Sequence, residues 1–183
     1  MPERFVYEHT FEGLFVRGLA GRLSPNVKER LREIGLDLDR KLLPAYSVET
    51  WTRSVAIAIE ALYPGEPEAV AYRLLGERML AGYQETFTGR AAFQVLRLLG
   101  PRRLVERTQQ SFRSGNNYTE VRVTDVAPNV VDLWVNEVGP ARYIVQGAIL
   151  AALRALLPGD EGVRVDVLGF TDKGITLRVS WTG

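Results

Sequence analysis

Apolar positions in the first two-thirds of the chain recur every three to four residues, the spacing of one helix face. A short extended piece at residues 5–7 comes first. Thr10 stands where a cap belongs. The helix it opens runs to about residue 20, with Phe11, Leu14, Phe15 and Leu19 on one side. Ser24 followed by Pro25 is a cap with proline in the first turn, and Gly35 stops that second helix. Ser47 opens the third, whose stripe is Trp51, Val55, Ala58 and Leu62, and Pro64 with Gly65 ends it. Pro67 suits the first turn of a fourth helix carrying Tyr72, Leu75, Met79 and Tyr83. Thr88 caps a fifth that ends at Gly100 and Pro101, and a sixth covers residues 102–112 and stops near Gly115.

The period then drops to two. Over residues 118–126, Tyr118, Glu120, Arg122 and Thr124 alternate with Thr119, Val121 and Val123. Over residues 130–138, Val131, Leu133, Val135 and Glu137 share one face, opposite Val130, Asp132, Trp134 and Asn136. A long helix over residues 141–157 interrupts the strands. Two more follow at 163–169 and 174–181, joined by a turn over residues 170–174. The pattern predicts an α+β fold: about six helices, then β-β-α-β-β with a four-stranded antiparallel sheet. No repeat or linker divides the chain, which reads as a single domain over residues 1–183.

Composition narrows the chemistry. With 46% hydrophobic and 25% charged residues, the chain can bury a core. The 23 basic and 22 acidic residues nearly cancel, which argues against binding nucleic acid or membrane by bulk charge. Cysteine is absent, excluding disulfides, thiol catalysis, iron–sulfur clusters and cysteine-ligated zinc. His9 is the sole histidine, so no two-histidine metal site exists, and no metal or other cofactor is expected. Residues 1–7 lack the apolar run of a secretory signal. Residues 143–157 are too short for a bilayer span and contain Gln146 and Arg154. A cytoplasmic protein is the resulting expectation.

Neither glycine-rich phosphate-loop motif occurs. His9 is the only general base with an ordinary pKa near neutrality, but no serine sits in a nucleophile elbow. His9 therefore reads as a polar residue before a helix start, bonded to backbone. Asp37 and Asp39 read as fixing a turn after the Gly35 helix stop, and Asp160 with Glu161 lies in the turn after the long helix. Charge is most uneven between residues 88 and 115, where Arg90, Arg97, Arg102, Arg103, Arg107 and Arg113 stand against Glu106 alone. Arg97, Arg102, Arg103, Arg107 and Arg113 are the candidate anion-binding residues, for nucleic acid or an anionic second messenger. The bland alternative is a solvated helix pair whose arginines meet Glu77 and Glu85. Seven aromatic residues, Tyr83, Phe87, Phe93, Phe112, Tyr118, Trp134 and Tyr143, are the candidate wall of an apolar cavity. Ordinary core packing produces the same spacing.

Several stretches resemble a family of uncharacterised paralogous proteins known mainly from myxobacteria. They are residues 10–14 (Thr-Phe-Glu-Gly-Leu), 35–39 (Gly-Leu-Asp-Leu-Asp), 44–47 (Pro-Ala-Tyr-Ser) and 49–51 (Glu-Thr-Trp), then Gly82 with Tyr83. Residues 86–90 (Thr-Phe-Thr-Gly-Arg), 99–103 (Leu-Gly-Pro-Arg-Arg), 117–118 (Asn-Tyr) and 179–181 (Val-Ser-Trp) complete the match. The resemblance spans nearly the whole chain and carries no established activity. In fold, the strand–strand–helix–hairpin order, with Tyr-Ile-Val-Gln-Gly at 143–147, is similar to haem–nitric-oxide-binding, four-vinyl-reductase and Golgi transport-particle domains. That superfamily binds haem, small apolar molecules or acyl chains, and often dimerises through helices. Its haem branch carries a histidine and a Tyr-x-Ser-x-Arg motif. Here residues 134–138 read Trp-Val-Asn-Glu-Val and no histidine follows His9, so haem ligation of that kind is not expected. The resemblance implies a non-catalytic regulatory module, a homodimer, holding an apolar small molecule or acyl chain between helices and sheet.

Overall fold

The computed structural model describes residues 3–137, 139–157 and 162–182, which leaves Asp160 and Glu161 outside the described residues. Near the N-terminus, β1 (Phe5–Tyr7) pairs antiparallel with β2 (Ala45–Ser47), a two-stranded sheet of which the sequence showed only the first strand. Helix α1 (Glu8–Phe11) starts earlier than Thr10 and widens directly into a π-helical stretch, Glu12–Gly18. Thr10 is therefore not a cap. Its hydroxyl donates to the Gly115 carbonyl at 3.0 Å, tying the first helix to the end of a distant one. Phe11, Leu14, Phe15 and Leu19 are all buried, and Phe11 meets Tyr46 and Trp51 at ring separations of 4.4 and 5.2 Å.

The next helices form where their caps predict. Ser24 Oγ accepts from the Val27 N–H at the start of α2 (Pro25–Glu33), and Ser47 Oγ accepts from the Thr50 N–H at the start of α3 (Val48–Leu62). Asp37 accepts from the Asp39 N–H at 3.0 Å, fixing the turn beyond Gly35, and both acids reach Arg32 on α2.

Helix α4 (Glu68–Glu85) is gripped on two sides by backbone rather than side chains. On one side a Cβ at Gly82 would strike the Gly13 carbonyl and the Gly18 amide of the π-helical stretch, and a Cβ at Gly18 would strike the Arg78 carbonyl. On the other, Gly76 lies against the Ile144 carbonyl and Gly147 against that of Arg73. Ile144 and Gly147 belong to α7 (Ala141–Arg154).

After α4 the expected boundaries shift. Thr86, not Thr88, caps α5 (Phe87–Glu106): its Oγ1 accepts from the Gly89 N–H at 3.0 Å and donates to the Tyr83 carbonyl at 2.7 Å. The expected break at Gly100 and Pro101 is a kink inside α5, with Gly100 at φ 80° and ψ 175°. What remains of the expected sixth helix is α6 (Thr108–Gly115).

The sheet runs β3 (Val121–Ala127), β4 (Val130–Val135), β6 (Gly174–Ser180), β5 (Arg164–Thr171) in spatial order, all antiparallel. Val131, Leu133, Val135, Ile175, Leu177 and Val179 form its buried face beneath α7. Asp132, Trp134 and Arg178 point the other way, where Arg178 makes a bidentate pair with Asp132 at 2.8 and 2.9 Å. This is the α+β architecture read from the sequence, with six helices before the four-stranded sheet. Two apolar clusters result, one of N-terminal helices and one of α5, α7 and the sheet.

The glycine contacts are directly testable. Gly76→Ala and Gly147→Ala each gain helix propensity, yet each should destabilise by about 2–3 kcal/mol because a methyl group must displace backbone. Gly169→Ala, which meets nothing within 4 Å, should fall within about 0.5 kcal/mol of the parent. Urea unfolding measures all three. Parent-like stability for Gly76→Ala would contradict the close approach.

Candidate ligand cavity

Where the two apolar clusters meet they leave a cavity of about 220 Å³. Most of its wall is hydrocarbon. Met79, Leu80 and Tyr83 come from α4, Phe93 and Leu96 from α5, Val145, Ala148 and Ile149 from α7, and Trp51 from α3. The positions follow from the backbone grip, because the α4 side chains beside the contact glycines must splay outward. The kink at Gly100 turns the second half of α5, so that Leu104 reaches the same space.

A polar group of residues closes another part of the wall: His9, Thr10, Ser111, Ser114, Asn116, Tyr118, Thr119 and Glu137. Asn116 Oδ1 accepts from the backbone N–H groups of Tyr118 and Thr119, at 3.0 and 2.7 Å. That turn keeps Tyr118 out of β3, which begins only at Val121 rather than at Tyr118, and sets its ring against the cavity. Most of these polar groups are already satisfied: Thr10 bonds Gly115, and Ser114 Oγ donates to the Ser111 carbonyl at 2.7 Å. The Glu137 carboxylate forms no hydrogen bond or ion pair among the described residues.

Burial sets the charge states. It pushes the His9 imidazole below its ordinary value, against the pull of Glu12, Glu8 and a bond to the Ser114 backbone, so the ring is neutral at pH 7. Burial raises Tyr83, and burial plus the field of Glu137 raises Tyr118. Burial also raises the Glu137 carboxyl, opposed by the positive field of Arg4. No lysine or arginine lines the cavity. Arg4 stands over the Tyr118 ring, 5.5 Å from its centroid, in an adjoining polar cleft with Arg113.

Of the seven aromatic candidates, Tyr83, Phe93, Phe112 and Tyr118 line the cavity. The other three do not. Phe87 directly follows the Thr86 cap on the outward side of α5 and is 83% exposed. Trp134 alternates with the buried Leu133 and Val135, so it lies on the far face of the sheet beneath the Arg122 guanidinium, 4.5 Å away. Tyr143 precedes the inward positions of α7 and lies under Arg142 at 5.0 Å.

The five candidate arginines are not one free face. Arg102 pairs with Asp125 at 2.5 Å and with Glu106 at 3.2 Å, and Arg103 pairs with Glu106 at 2.7 Å. Their partners are thus not the expected Glu77 and Glu85; Glu77 is taken by Arg73. Arg97, Arg107 and Arg113 are exposed and form no ion pair among the described residues.

Sequence reasoning passed over His9 and Glu137 as cavity residues. His9 gave no usable signal, since its neighbours Ser114 and Tyr118 are more than a hundred residues away. Glu137 did: it continues the Val131, Leu133, Val135 face, an acid at an inward position of the apolar alternation. Among the described residues no group of three potential metal ligands occurs, and no helix is long and apolar enough to cross a membrane.

Because burial raises the folded-state pKa of Glu137 above its ordinary value, its ionisation opposes folding as pH rises through that value. Glu137→Gln should therefore raise Tm by roughly 2–4 °C at pH 8, taking about 1 kcal/mol as the relief. The gain should vanish near pH 4, where both states hold the proton. Calorimetry across pH checks this, and a pH-independent difference would contradict it.

Three comparisons bear on this arrangement. The sequence matches no curated protein. Among solved structures, a single-site variant of the Tt H-NOX domain is similar at a TM-score of 0.72 and 15% identity, over 96% of this chain and 95% of that one. An oxygen-binding H-NOX domain related to soluble guanylate cyclases, solved as its oxygen complex, gives 0.67 and 15%, over 96% and 92%. An Fe(II) unliganded H-NOX mutant from K. algicida gives 0.67 at 6% identity, over 97% of both chains. At these identities the likeness is one of fold, and the chain has the H-NOX-like architecture. A family model, described as protein of unknown function (DUF2378), matches residues 4–182, and the chain belongs to that family.

Proposed function

We propose that this chain is a non-catalytic, ligand-binding regulatory module that holds an apolar small molecule or acyl chain in its cavity and works as a homodimer. One observation carries the reading. The junction of the two cores is hollow, walled by hydrocarbon and aromatic side chains, with a few converging polar groups. The H-NOX-like fold supports a sensor role.

Haem does not fit these residues. A volume of about 220 Å³ lies below the roughly 300–1,000 Å³ of drug-sized sites. A porphyrin's carboxylates would find no basic side chain in the wall, only the carboxyl of Glu137. Nor does the proposal extend to nucleic acid or an anionic second messenger, because Arg102 and Arg103 are committed to acids within the chain.

The homodimer is supported by α5, whose outward side carries Phe87, Val95, Leu98 and Leu99, with Leu98 88% exposed. Val95, Leu98 and Leu99 recur at helical spacing, and Phe87 stands about two turns before them.

Two measurements test the proposal. Native mass spectrometry of freshly purified protein should show added mass that denaturing extraction releases. Protein that is empty, and stays empty when challenged with small apolar molecules, would overturn the cavity reading. Light scattering should give the mass of a dimer for the parent and of a monomer for Leu98→Glu. A parent that is already monomeric at high concentration would overturn the dimer.

A further inference from the structure

We propose that the cavity is built for an apolar amine, a hydrocarbon body with one ammonium head that pairs with Glu137. The inference rests on the cavity reading and adds the class of ligand. Glu137 follows β4 and keeps the inward register of Val131, Leu133 and Val135, which brings it to the cavity wall. Its carboxylate has no hydrogen bond or ion pair among the described residues. Tyr118, whose phenol stays protonated, feels the field of Glu137, and the neutral His9 and Tyr83 share the cavity wall with it. Arg4, which stands over the Tyr118 ring, reaches it as a field and not as an ion pair.

A half-buried carboxylate with no partner among the described residues has lost part of its hydration, so the ligand head that makes up for this loss is the one favoured. A carboxylate or phosphate head would meet a like charge and no cation. A hydroxyl could give a single neutral hydrogen bond. An ammonium brings three donors and the opposite charge into a poorly solvated space. The aromatic faces of Tyr118, Phe112 and Phe93 add cation–π attraction for a cationic head, and apolar contact for the body. Size limits the body. An apolar cavity of about 150 Å³ holds benzene, so this one suits about nine non-hydrogen atoms.

Phenethylamine, 2-phenylethanol and phenylacetate share one ring and differ in the head, and calorimetric titration of the full chain compares them. Phenethylamine should bind at least ten-fold more tightly than 2-phenylethanol, and phenylacetate should not bind. Glu137→Gln should bring the amine down to the level of the alcohol and leave the alcohol unchanged, which shows that the cavity has survived. Arg4→Gln should strengthen amine binding by removing a competing cation. Alcohol binding equal to amine binding, or an amine affinity indifferent to Glu137→Gln, would overturn the amine inference and leave the apolar cavity standing. Failure of all three compounds on the parent chain would overturn both.

Discussion

Helix α4 is held by backbone. At Gly82 it meets the π-helical stretch and at Gly76 it meets α7, with Gly13, Gly18 and Gly147 supplying the facing surfaces. Side chains elsewhere can repack around a volume change, but a carbonyl oxygen lodged where a methyl would stand leaves no such freedom. The arrangement makes α4 a shared member of both apolar clusters, as α7 is: Leu75 belongs to one, while Leu80 and Tyr83 pack against the other. It also explains the wide helical turn after Phe11. The Leu19 N–H reaches the Leu14 carbonyl at 2.8 Å, the spacing of a π-helix, and so presents Gly13 and Gly18 to one neighbour. Gly13 and Ile144, which take part in these close approaches, also line the cavity.

The character of the cavity comes from what its wall lacks. Hydrocarbon, four candidate aromatic rings and the half-buried side chains of His9 and Glu137 share the space, with no arginine or lysine. The chain holds 20 arginines among its 23 basic residues, so their exclusion from the wall is selective. Several are spent on acids nearby: Arg32 on Asp37 and Asp39, Arg102 on Asp125, Arg178 on Asp132. An H-NOX-like frame thus surrounds a wall whose chemistry does not suit haem. Fold and site are separable, and the side chains facing inward decide what a frame of this kind holds.

Much of the local structure was legible because its causes are local. Ser24 and Ser47 cap helices by bonding donors three residues ahead, and the inward faces of α3 and β4 follow from side-chain periodicity alone. Thr10 and Thr88 misled for the same reason. Each is a good cap by residue type, but Thr10 was drawn to Gly115, and Thr86 stood at the place where the chain turns. The β1–β2 pair was invisible in the pattern, since three-residue strands carry too few alternations, and the pairing needs contact across about forty residues.

By itself the sequence determined the fold class, the apolar face of β4 and the exclusion of thiol and two-histidine chemistry. These depend on composition, and on periodicities that each element carries in its own residues. Only the tertiary structure decided which aromatic rings meet at a common space and which face solvent. Phe87 and Phe93 sit on one helix and look alike in the sequence, and the direction of α5 past its neighbours separates them. It alone decided that Arg102 is occupied by Asp125, and that Glu137 ends facing the cavity with no partner among the described residues. Those outcomes depend on how elements remote in the chain are brought together, and the glycine contacts along α4 set that distance.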